Sequence, residues 1–395
     1  MADRFKFIII GRGMLGSAAA RHLAGRVDGV ALIGPDEPKD AARHEGVFAS
    51  HYDEARITRT IDTDPVWALL AKRSIARYAA IAEGSGIDFF HEAGCLMVGP
   101  RRGGADPYVA DICHAAERVG ARTQVLDAIT LRQRFPYFDF GTGCEGVFEA
   151  VGAGYVNPRR LVEAQSVLAR RAGATIVPAT VVCTRETGDG VVVTTADGQE
   201  IRGEKVLVAA GGFSIAENLL PKPVDLSVYA RTVAFFEIPD AELAHYAGMP
   251  SLIHQPDDPH RHIYLLPPVR YPDGKTYLKI GGDPDDLRLE TEPAIRAWFR
   301  SGGRAGIRDH LSRIIDGLVP DLAGAPLSMA ACVTSFTPNN YPAIGFASDR
   351  IAVLTGGCGA AAKSSDEIGR LGAELLIGGD LDQAAYGDVF RPSFR

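Results

Sequence analysis

The chain lacks the patterns that mark several common classes of protein. Its six cysteines are scattered, with no Cys-x-x-Cys pair, which argues against a zinc ribbon or a disulfide framework and fits a reducing cytoplasm. No apolar run is long enough to span a bilayer, and the run at residues 7–10 is too short for a signal-peptide core. Lys and Arg number 42 against 49 Asp and Glu, and this acidic excess disfavours general binding to nucleic acid or anionic membranes. We therefore expect a cytoplasmic protein with no nucleic-acid partner, no membrane partner and no metal site.

The composition is that of an ordinary globular protein. The 395 residues are 46% apolar and 23% charged, and they suffice for two large domains or one interleaved pair. No internal repeat or low-complexity segment interrupts the chain.

A glycine-rich turn near the start carries the first functional signal. The apolar residues 7–10 run directly into Gly11-x-Gly13-x-x-Gly16, and residues 17–23 have a helical pattern. Gly11 permits a tight turn, Gly13 lets the backbone approach a pyrophosphate, and Gly16 lets the helix pack close to the strand. A helix N-terminus there offers free N–H groups to phosphates. Strand, turn and helix together predict a dinucleotide site, although the motif alone does not say which dinucleotide.

The end of the second predicted strand departs from that pattern. Residues 30–33 form the strand, and an acid that binds the adenosine ribose is expected directly after it. That position holds Gly34, and Asp36 and Glu37 come two and three residues later. Either one of these acids, with Asp36 the candidate, reaches back to the ribose, or both are solvated loop residues. We favour the first alternative.

The remaining pattern predicts an α/β plus α+β protein with an interrupted nucleotide domain. An apolar strand at 205–209 ends in Ala210-Gly211-Gly212, which allows backbone to lie against a flat ligand, although a plain tight turn is the alternative. Longer β segments between 224 and 289 indicate a separate antiparallel sheet. The boundaries follow from these changes in pattern. We expect a Rossmann-like domain of residues 1–91, 150–222 and 328–395, with an antiparallel-sheet substrate domain of residues 92–149 and 223–327 inserted.

Five stretches, in this order along almost the whole chain, carry a resemblance to a known family. They are the turn at 11–16, His51-Tyr52-Asp53-Glu54-Ala55-Arg56-Ile57-Thr58-Arg59, Lys279-Ile280-Gly281, Cys332-Val333-Thr334, and the glycine loop 356–363 that closes with a lysine. The chain resembles the flavoprotein amine oxidases of the D-amino-acid-oxidase superfamily, most closely the sarcosine oxidase and N-methyltryptophan oxidase branch. Its second stretch resembles their His-x-Asp-x-Arg-x-x-Arg loop, with one extra residue before Arg56.

The resemblance implies FAD as the cofactor. The residues it assigns to FAD are Gly11, Arg12, Gly13, Met14, Leu15, Gly16, Asp36, Ser50, His51, Val182, Ala210, Gly211, Cys332, Gly356, Gly357, Gly359 and Lys363. It further implies a thioether between Cys332 and the flavin 8α-carbon. The alternative for Cys332 is a buried structural cysteine, the usual state of a lone cysteine.

The resemblance also assigns the catalytic and substrate-binding residues. Arg59 and Lys363 would bind the substrate carboxylate, and Lys279 would be the cation that activates O2. Arg56 would lie near the flavin face, and His51 is a candidate base by its location. The alternatives are an ion pair of Arg59 with a local acid such as Asp53, a solvated Lys363, and a Lys279 on the solvent face of its strand.

Three departures from the family pattern bear on the substrate. Thr334 stands where sarcosine oxidase has a tyrosine, Asp283 stands where a histidine follows the lysine strand, and Ala360 replaces a loop histidine. The pocket therefore differs in polarity, and a bulkier secondary amino acid or a cationic amine is expected to use Asp283 and Thr334.

We accordingly expect an FAD-dependent oxidase that uses O2. Its substrate is an amine or N-alkyl amino acid bearing a carboxylate, its products are an imine and H2O2, and its assembly state is a monomer or a small homo-oligomer. The alternatives are a dehydrogenase that uses another electron acceptor and a non-catalytic flavin-binding protein.

Overall fold

The computed structural model of the protein describes residues 4–395. Within that range the strands are β1 (Arg4–Ile10), β2 (Val30–Ile33), β3 (Arg56–Thr58), β4 (Phe90–His91), β5 (Cys95–Pro100), β6 (Gln124–Asp127), β7 (Cys144–Glu149), β8 (Gly154–Val156), β9 (Thr175–Val177), β10 (Val181–Thr187), β11 (Gly190–Thr195), β12 (Glu200–Val208), β13 (Ser227–Ile238), β14 (Ser251–His254), β15 (Ile263–Arg270), β16 (Thr276–Gly281), β17 (Leu327–Phe336), β18 (Ala343–Phe346) and β19 (Ile351–Thr355). The α-helices are α1 (Met14–Ala24), α2 (Pro65–Ile75), α3 (Tyr78–Ser85), α4 (Tyr108–Val119), α5 (Ala128–Arg134), α6 (Pro158–Arg171), α7 (Glu292–Ser301), α8 (Ala305–Leu318), α9 (Ala361–Leu376) and α10 (Gln383–Tyr386).

The first sheet confirms the predicted Rossmann-like domain. Its parallel strands lie in the order β9-β2-β1-β12-β19, which is 3-2-1-4-5 when they are numbered along the chain. The hairpin β10–β11 joins this sheet through β11, which pairs antiparallel with β12. Strand β18 pairs antiparallel with β19. The sheet is buried on both faces, which is why β1 has a continuous apolar run from Phe7 to Ile10 rather than an alternating pattern.

The second sheet has eight strands in the order β17-β13-β16-β15-β14-β5-β7-β6. All neighbours are antiparallel except β14 and β5, which are parallel. These two strands come from the two separate inserted segments, so no hairpin fixes their relative direction. The predicted antiparallel sheet is therefore correct apart from this one pair.

Strand β17 moves one predicted domain boundary. It pairs with β13 over its full length, from Ser227 opposite Phe336 to Phe236 opposite Leu327. Residues 327–336, with Cys332 among them, thus form the edge of the second sheet. The boundary predicted before residue 328 falls instead after this strand. Periodicity identifies a strand but does not say which sheet it joins.

The elements that carry the candidate residues meet between the two sheets. Strand β3, which begins with Arg56, joins β8 and β4 in a small third sheet. Asp64 caps α2, accepting hydrogen bonds from the backbone N–H groups of Val66 at 2.8 Å and Trp67 at 3.1 Å. Helix α9 begins at Ala361, so that Lys363 lies in its first turn rather than in a loop.

Across residues 4–395, none of the helices has both the length and the apolar character that crossing a bilayer requires.

Candidate active site

A first cavity lies at the carboxyl ends of β1, β2 and β12. Its walls include Ile10, Gly11, Arg12, Gly13, Met14, Leu15, Gly34, Pro35, Ser50, His51, Tyr52, Val182, Ala209, Ala210, Gly211, Gly356 and Gly357. This is the end of a parallel sheet at which doubly wound folds bind their ligands. Most of the residues predicted to hold a cofactor are thus in one place.

Each glycine of the turn is required for a different physical reason. Gly11 has a φ of +110°, and a Cβ there would lie 2.3 Å from the carbonyl oxygen of Ala209. A Cβ on Gly16 would lie 1.9 Å from the carbonyl oxygen of Gly11. At Gly13 the nearest atom would be 3.9 Å away, on His51. Gly11 and Gly16 therefore close the turn, whereas Gly13 leaves the start of α1 open, with backbone N–H groups that no side chain caps.

The acids after β2 have partners of their own. Asp36 pairs with the guanidinium of Arg12, and its side chain is largely exposed. Glu37 binds Arg159 through both carboxylate oxygens, at 2.6 and 2.7 Å. Among the residues of the described range, neither acid lines the cavity, whereas Arg12 does.

His51 lies in the wall of this cavity as a neutral imidazole. Burial, and after it the positive charges of Arg159, Arg12 and Arg56, lower the pKa of His51 to about 3. A group with so low a pKa takes up a proton poorly at neutral pH. His51 is therefore better suited to hydrogen bonding than to service as a base.

A second cavity adjoins the first and shares Met14, Ser50, Val333, Ser335, Gly357 and Ala361 with it. Its other walls include Arg56, Arg59, Arg231, Tyr264, Asp283, Cys332, Thr334, Gly359, Ala360 and Lys363. The two cavities form one cleft, which runs from the glycine turn to the predicted substrate-binding residues.

Arg59 and Lys363 converge on one carboxylate, that of Asp62. The Asp62 oxygen Oδ2 lies 2.9 Å from Lys363 Nζ and 3.3 Å from an Arg59 nitrogen, Nη2. Lys363 is only 1% exposed. Burial raises the pKa of Asp62, but the charges of Lys363 and Arg59 outweigh it and lower that pKa below its ordinary value. One anion between two cations leaves a single net positive charge at the cavity wall.

A second carboxylate, Asp53, is shared in the same way. Its oxygens pair with Arg56, with Lys279 Nζ at 2.7 Å, and with the hydroxyl of Tyr271 at 2.8 Å. Lys279 also donates to the carbonyl oxygen of Ala55. Lys279 is 1% exposed and, among the residues described, belongs to the lining of neither cavity. Lys279 is therefore on neither the solvent face of its strand nor the surface of an open pocket. It is buried and shares Asp53 with Arg56.

Cys332 lies beside Arg56 in the second cavity. The Arg56 nitrogen Nη2 is 3.7 Å from the Cys332 sulfur and donates to the carbonyl oxygen of Ser50 at 2.9 Å. Cys332 thus lies in the wall of the second cavity in contact with a guanidinium.

Asp283 and Thr334, two of the residues that depart from the family pattern, differ in how well their polar groups are paired. The Asp283 side chain is fully buried, with Arg304 at 2.8 Å, and accepts from the backbone N–H groups of Thr232 at 3.2 Å and Asp285 at 3.1 Å. Its charge is thus already compensated. The buried hydroxyl of Thr334, by contrast, has no hydrogen-bond partner within residues 4–395.

Sequence reasoning missed the two shared carboxylates. Asp53 was in the recognised loop but appeared only as an alternative partner of Arg59, and Asp62 was not singled out. Lys279 lies 226 residues along the chain from Asp53, so that no local pattern signals their contact. The one available signal is the presence of four acids, at 53, 54, 62 and 64, beside two arginines.

A family comparison identifies the chain. The profile of the DAO family, described as FAD dependent oxidoreductase, matches residues 6–375. The protein belongs to this family of FAD-dependent oxidoreductases.

Individual relatives of this oxidoreductase match between about half and nearly all of its length. Monomeric sarcosine oxidase of Streptomyces avermitilis is 27% identical over 391 residues, which are 96% of this chain and 95% of that protein. N-methyl-L-tryptophan oxidase of Citrobacter koseri is 28% identical over 222 residues, 55% of this chain and 56% of that one. Among solved structures, NikD, an unusual amino acid oxidase, has a TM-score of 0.76 at 19% identity, covering 99% of this chain and 98% of that one. L-proline dehydrogenase from P. horikoshii has a TM-score of 0.77 at 18% identity, with the same two coverages.

The residues of the oxidoreductase fit FAD. Glycines at 11 and 16, where a Cβ would collide with backbone, bring strand and helix together, and the open N–H groups after Gly13 suit a pyrophosphate. The adjoining cavities provide a continuous cleft for an extended dinucleotide.

The shared carboxylate Asp62 provides a test of this geometry. In Asp62→Asn, the buried Lys363 loses its counter-ion, and we expect the free energy of unfolding to fall by about 3–5 kcal/mol, as for other broken buried pairs. Urea denaturation followed by circular dichroism measures it. Adding Lys363→Met removes the unpaired charge and should restore part of the loss; a double variant less stable than Asp62→Asn would contradict the pairing.

Proposed function

We propose that this FAD-dependent oxidoreductase oxidises a secondary amine that carries a carboxylate, an N-alkyl amino acid, to an imine, with O2 as the electron acceptor that is reduced to H2O2. The observation that carries the proposal is the convergence of Arg59 and Lys363 in the wall of the second cavity. Asp62 neutralises one of the two positive charges of Arg59 and Lys363, and the other remains to bind the carboxylate of a substrate. Its relatives named sarcosine oxidase and N-methyl-L-tryptophan oxidase support the same class of substrate.

The chain's residues bind and orient the substrate. Arg59 and Lys363 donate charge-assisted hydrogen bonds to the substrate carboxylate, and Asp62 holds both donors in place from behind. A carboxylate fixed at one end of the cleft places the amine toward the wall shared by the two cavities. Orientation of this kind supplies a large part of the rate enhancement.

The cofactor half of the cleft holds FAD through backbone and small residues. The N–H groups at the start of α1 bind the pyrophosphate, and Ala210, Gly211 and the glycines at 356 and 357 let the backbone lie close to the ligand. When bound, FAD would supply the redox chemistry by accepting a hydride equivalent, that is two electrons and one proton, from the substrate. Because His51 stays neutral, the amine is best bound in its uncharged form, which needs no base on the chain.

The substrate's second substituent is proposed to be larger than that of sarcosine. Thr334 is smaller than the tyrosine of the related pattern, and its hydroxyl faces no partner in the described range. Asp283 is compensated by Arg304, so that it offers little to a cationic amine. A bulkier N-alkyl or side-chain group with a hydrogen-bonding atom fits this wall better.

The carboxylate requirement is tested with matched substrates. For Arg59→Met we expect the KM of an N-methyl amino acid to rise about 10- to 100-fold, the loss of a charge-assisted hydrogen bond. The KM of the corresponding amine without a carboxylate should change less than about threefold. Rates of anaerobic flavin reduction are measured for both substrates, with Lys363→Met expected to behave alike. Equal effects on the two substrates would refute the carboxylate site.

A dehydrogenase is the second candidate function. The observation in its favour is the position of Lys279, which is bound to Asp53 and Ala55 behind Arg56 rather than exposed to the cleft. A lysine that does not reach the reacting centre would contribute little to O2 activation. Electrons would then pass to another acceptor.

Lys279→Met separates the two candidates. For an oxidase in which Lys279 acts as the cation for O2, we expect the rate of reaction between reduced flavin and O2 to fall about 100-fold, as for loss of one electrostatic donor. The anaerobic rate of flavin reduction by substrate should stay within about threefold. Stopped-flow mixing with O2, and with a quinone in parallel, gives the rates. An unchanged O2 rate together with rapid quinone reduction favours the dehydrogenase.

We further propose that Cys332 attaches the flavin covalently: a bond from its sulfur to the flavin 8α-carbon would replace the S–H bond and one C–H bond, and the two electrons released would pass through the flavin to O2. The nearby Arg56 guanidinium and the position of Cys332 in the wall of the second cavity support this. Denatured wild-type protein should show flavin fluorescence on a gel, and Cys332→Ser should lose it. Cys358→Ser, in the glycine loop, is the matched control and should keep the fluorescence. Fluorescence retained in Cys332→Ser would place the attachment elsewhere.

A further inference from the structure

The end of strand β2 excludes the acid that usually binds the adenosine ribose. A Cβ on Gly34 would lie 2.5 Å from the backbone nitrogen of Arg12 and 2.6 Å from its Cβ. These contacts are closer than side chains tolerate, and one of them is to backbone that cannot move away easily. Arg12, and not residue 34, therefore fills this end of the first cavity.

Arg12 is placed to contact a ligand there. It lines the first cavity together with Gly34, Pro35 and Tyr52, and its side chain is 20% exposed. In the described part of the chain its guanidinium bonds only to Asp36, through Nη2, which leaves Nε and Nη1 free to donate. Glu37, the other acid of this loop, is occupied by Arg159.

We propose that Arg12, held in place by Asp36, recognises the adenosine ribose of FAD in place of an acid at the end of β2. A carboxylate would accept hydrogen bonds from the ribose hydroxyls, whereas the guanidinium donates to the hydroxyl oxygens. The two nitrogens that Asp36 does not engage, Nε and Nη1, each have an N–H group that can donate to a ribose oxygen. The inference goes beyond the proposed function, since it concerns the cofactor and holds for any substrate.

The proposal predicts a selective loss of affinity for the adenosine part of the cofactor. FMN contains the flavin and one phosphate but lacks the adenosine half. Arg12→Met should therefore weaken FAD binding about 10- to 100-fold, as for loss of a charge-assisted hydrogen bond, and change FMN binding less than about threefold. Asp36→Asn should weaken FAD binding only about threefold, because Asp36 is an exposed partner.

The experiment uses the full chain with Cys332→Ser, freed of flavin, so that binding is reversible. FAD and FMN are titrated separately, with quenching of flavin fluorescence as the readout, and FAD binding by the otherwise unchanged chain is established first. Arg159→Met is the matched control, because Arg159 binds acids of the same region without lining either cavity in the range described. It should keep the wild-type ratio of FAD to FMN affinity.

Two results would overturn the proposal. One is an Arg12→Met chain that binds FAD as tightly as its parent. The other is a loss of FMN affinity equal to the loss of FAD affinity in both Arg12→Met and Arg12→Lys, which would assign Arg12 to the fold instead. An absence of FAD binding in the parent chain would be a failure of the cofactor assignment and would be seen before any variant is compared.

Discussion

The site depends on two buried carboxylates, each of which is shared by two cations. Asp53 lies between Arg56 and Lys279, and Asp62 lies between Arg59 and Lys363. A lone ammonium in the interior is costly, so neither lysine is tolerated there without its acid. Burial, and after it the charge of Arg56, lowers the pKa of Lys279 well below its ordinary value, so that Asp53 is the group that favours its charged form.

These two clusters also join distant parts of the chain. The segment of residues 53–62 contains β3 of the small third sheet, Lys279 lies on strand β16 of the second sheet, and Lys363 lies in the first turn of α9. These buried ion pairs thus connect three separate elements. Glu149, the buried last residue of β7, accepts hydrogen bonds from the backbone N–H groups of Thr60 and Ile61 and so also holds this segment in place.

Local features of the sequence predicted local features of the structure. The glycine turn and the strand before it followed from spacing, because φ and close approach depend on neighbouring residues. The four cations were found through the resemblance, but their acids were not, since those contacts form only in the folded chain. The same reason explains why β17 was assigned to the wrong sheet. It also explains why Lys363 was placed in a loop.

The position of β17 would give a covalently attached cofactor a mechanical role. FAD bound at the glycine turn is held by the first domain, while Cys332 stands on a strand of the second sheet. A flavin bonded to Cys332 is then a cross-link between two domains that are otherwise joined by chain crossings and side-chain contacts. Such a cross-link would restrain the two sheets from moving apart.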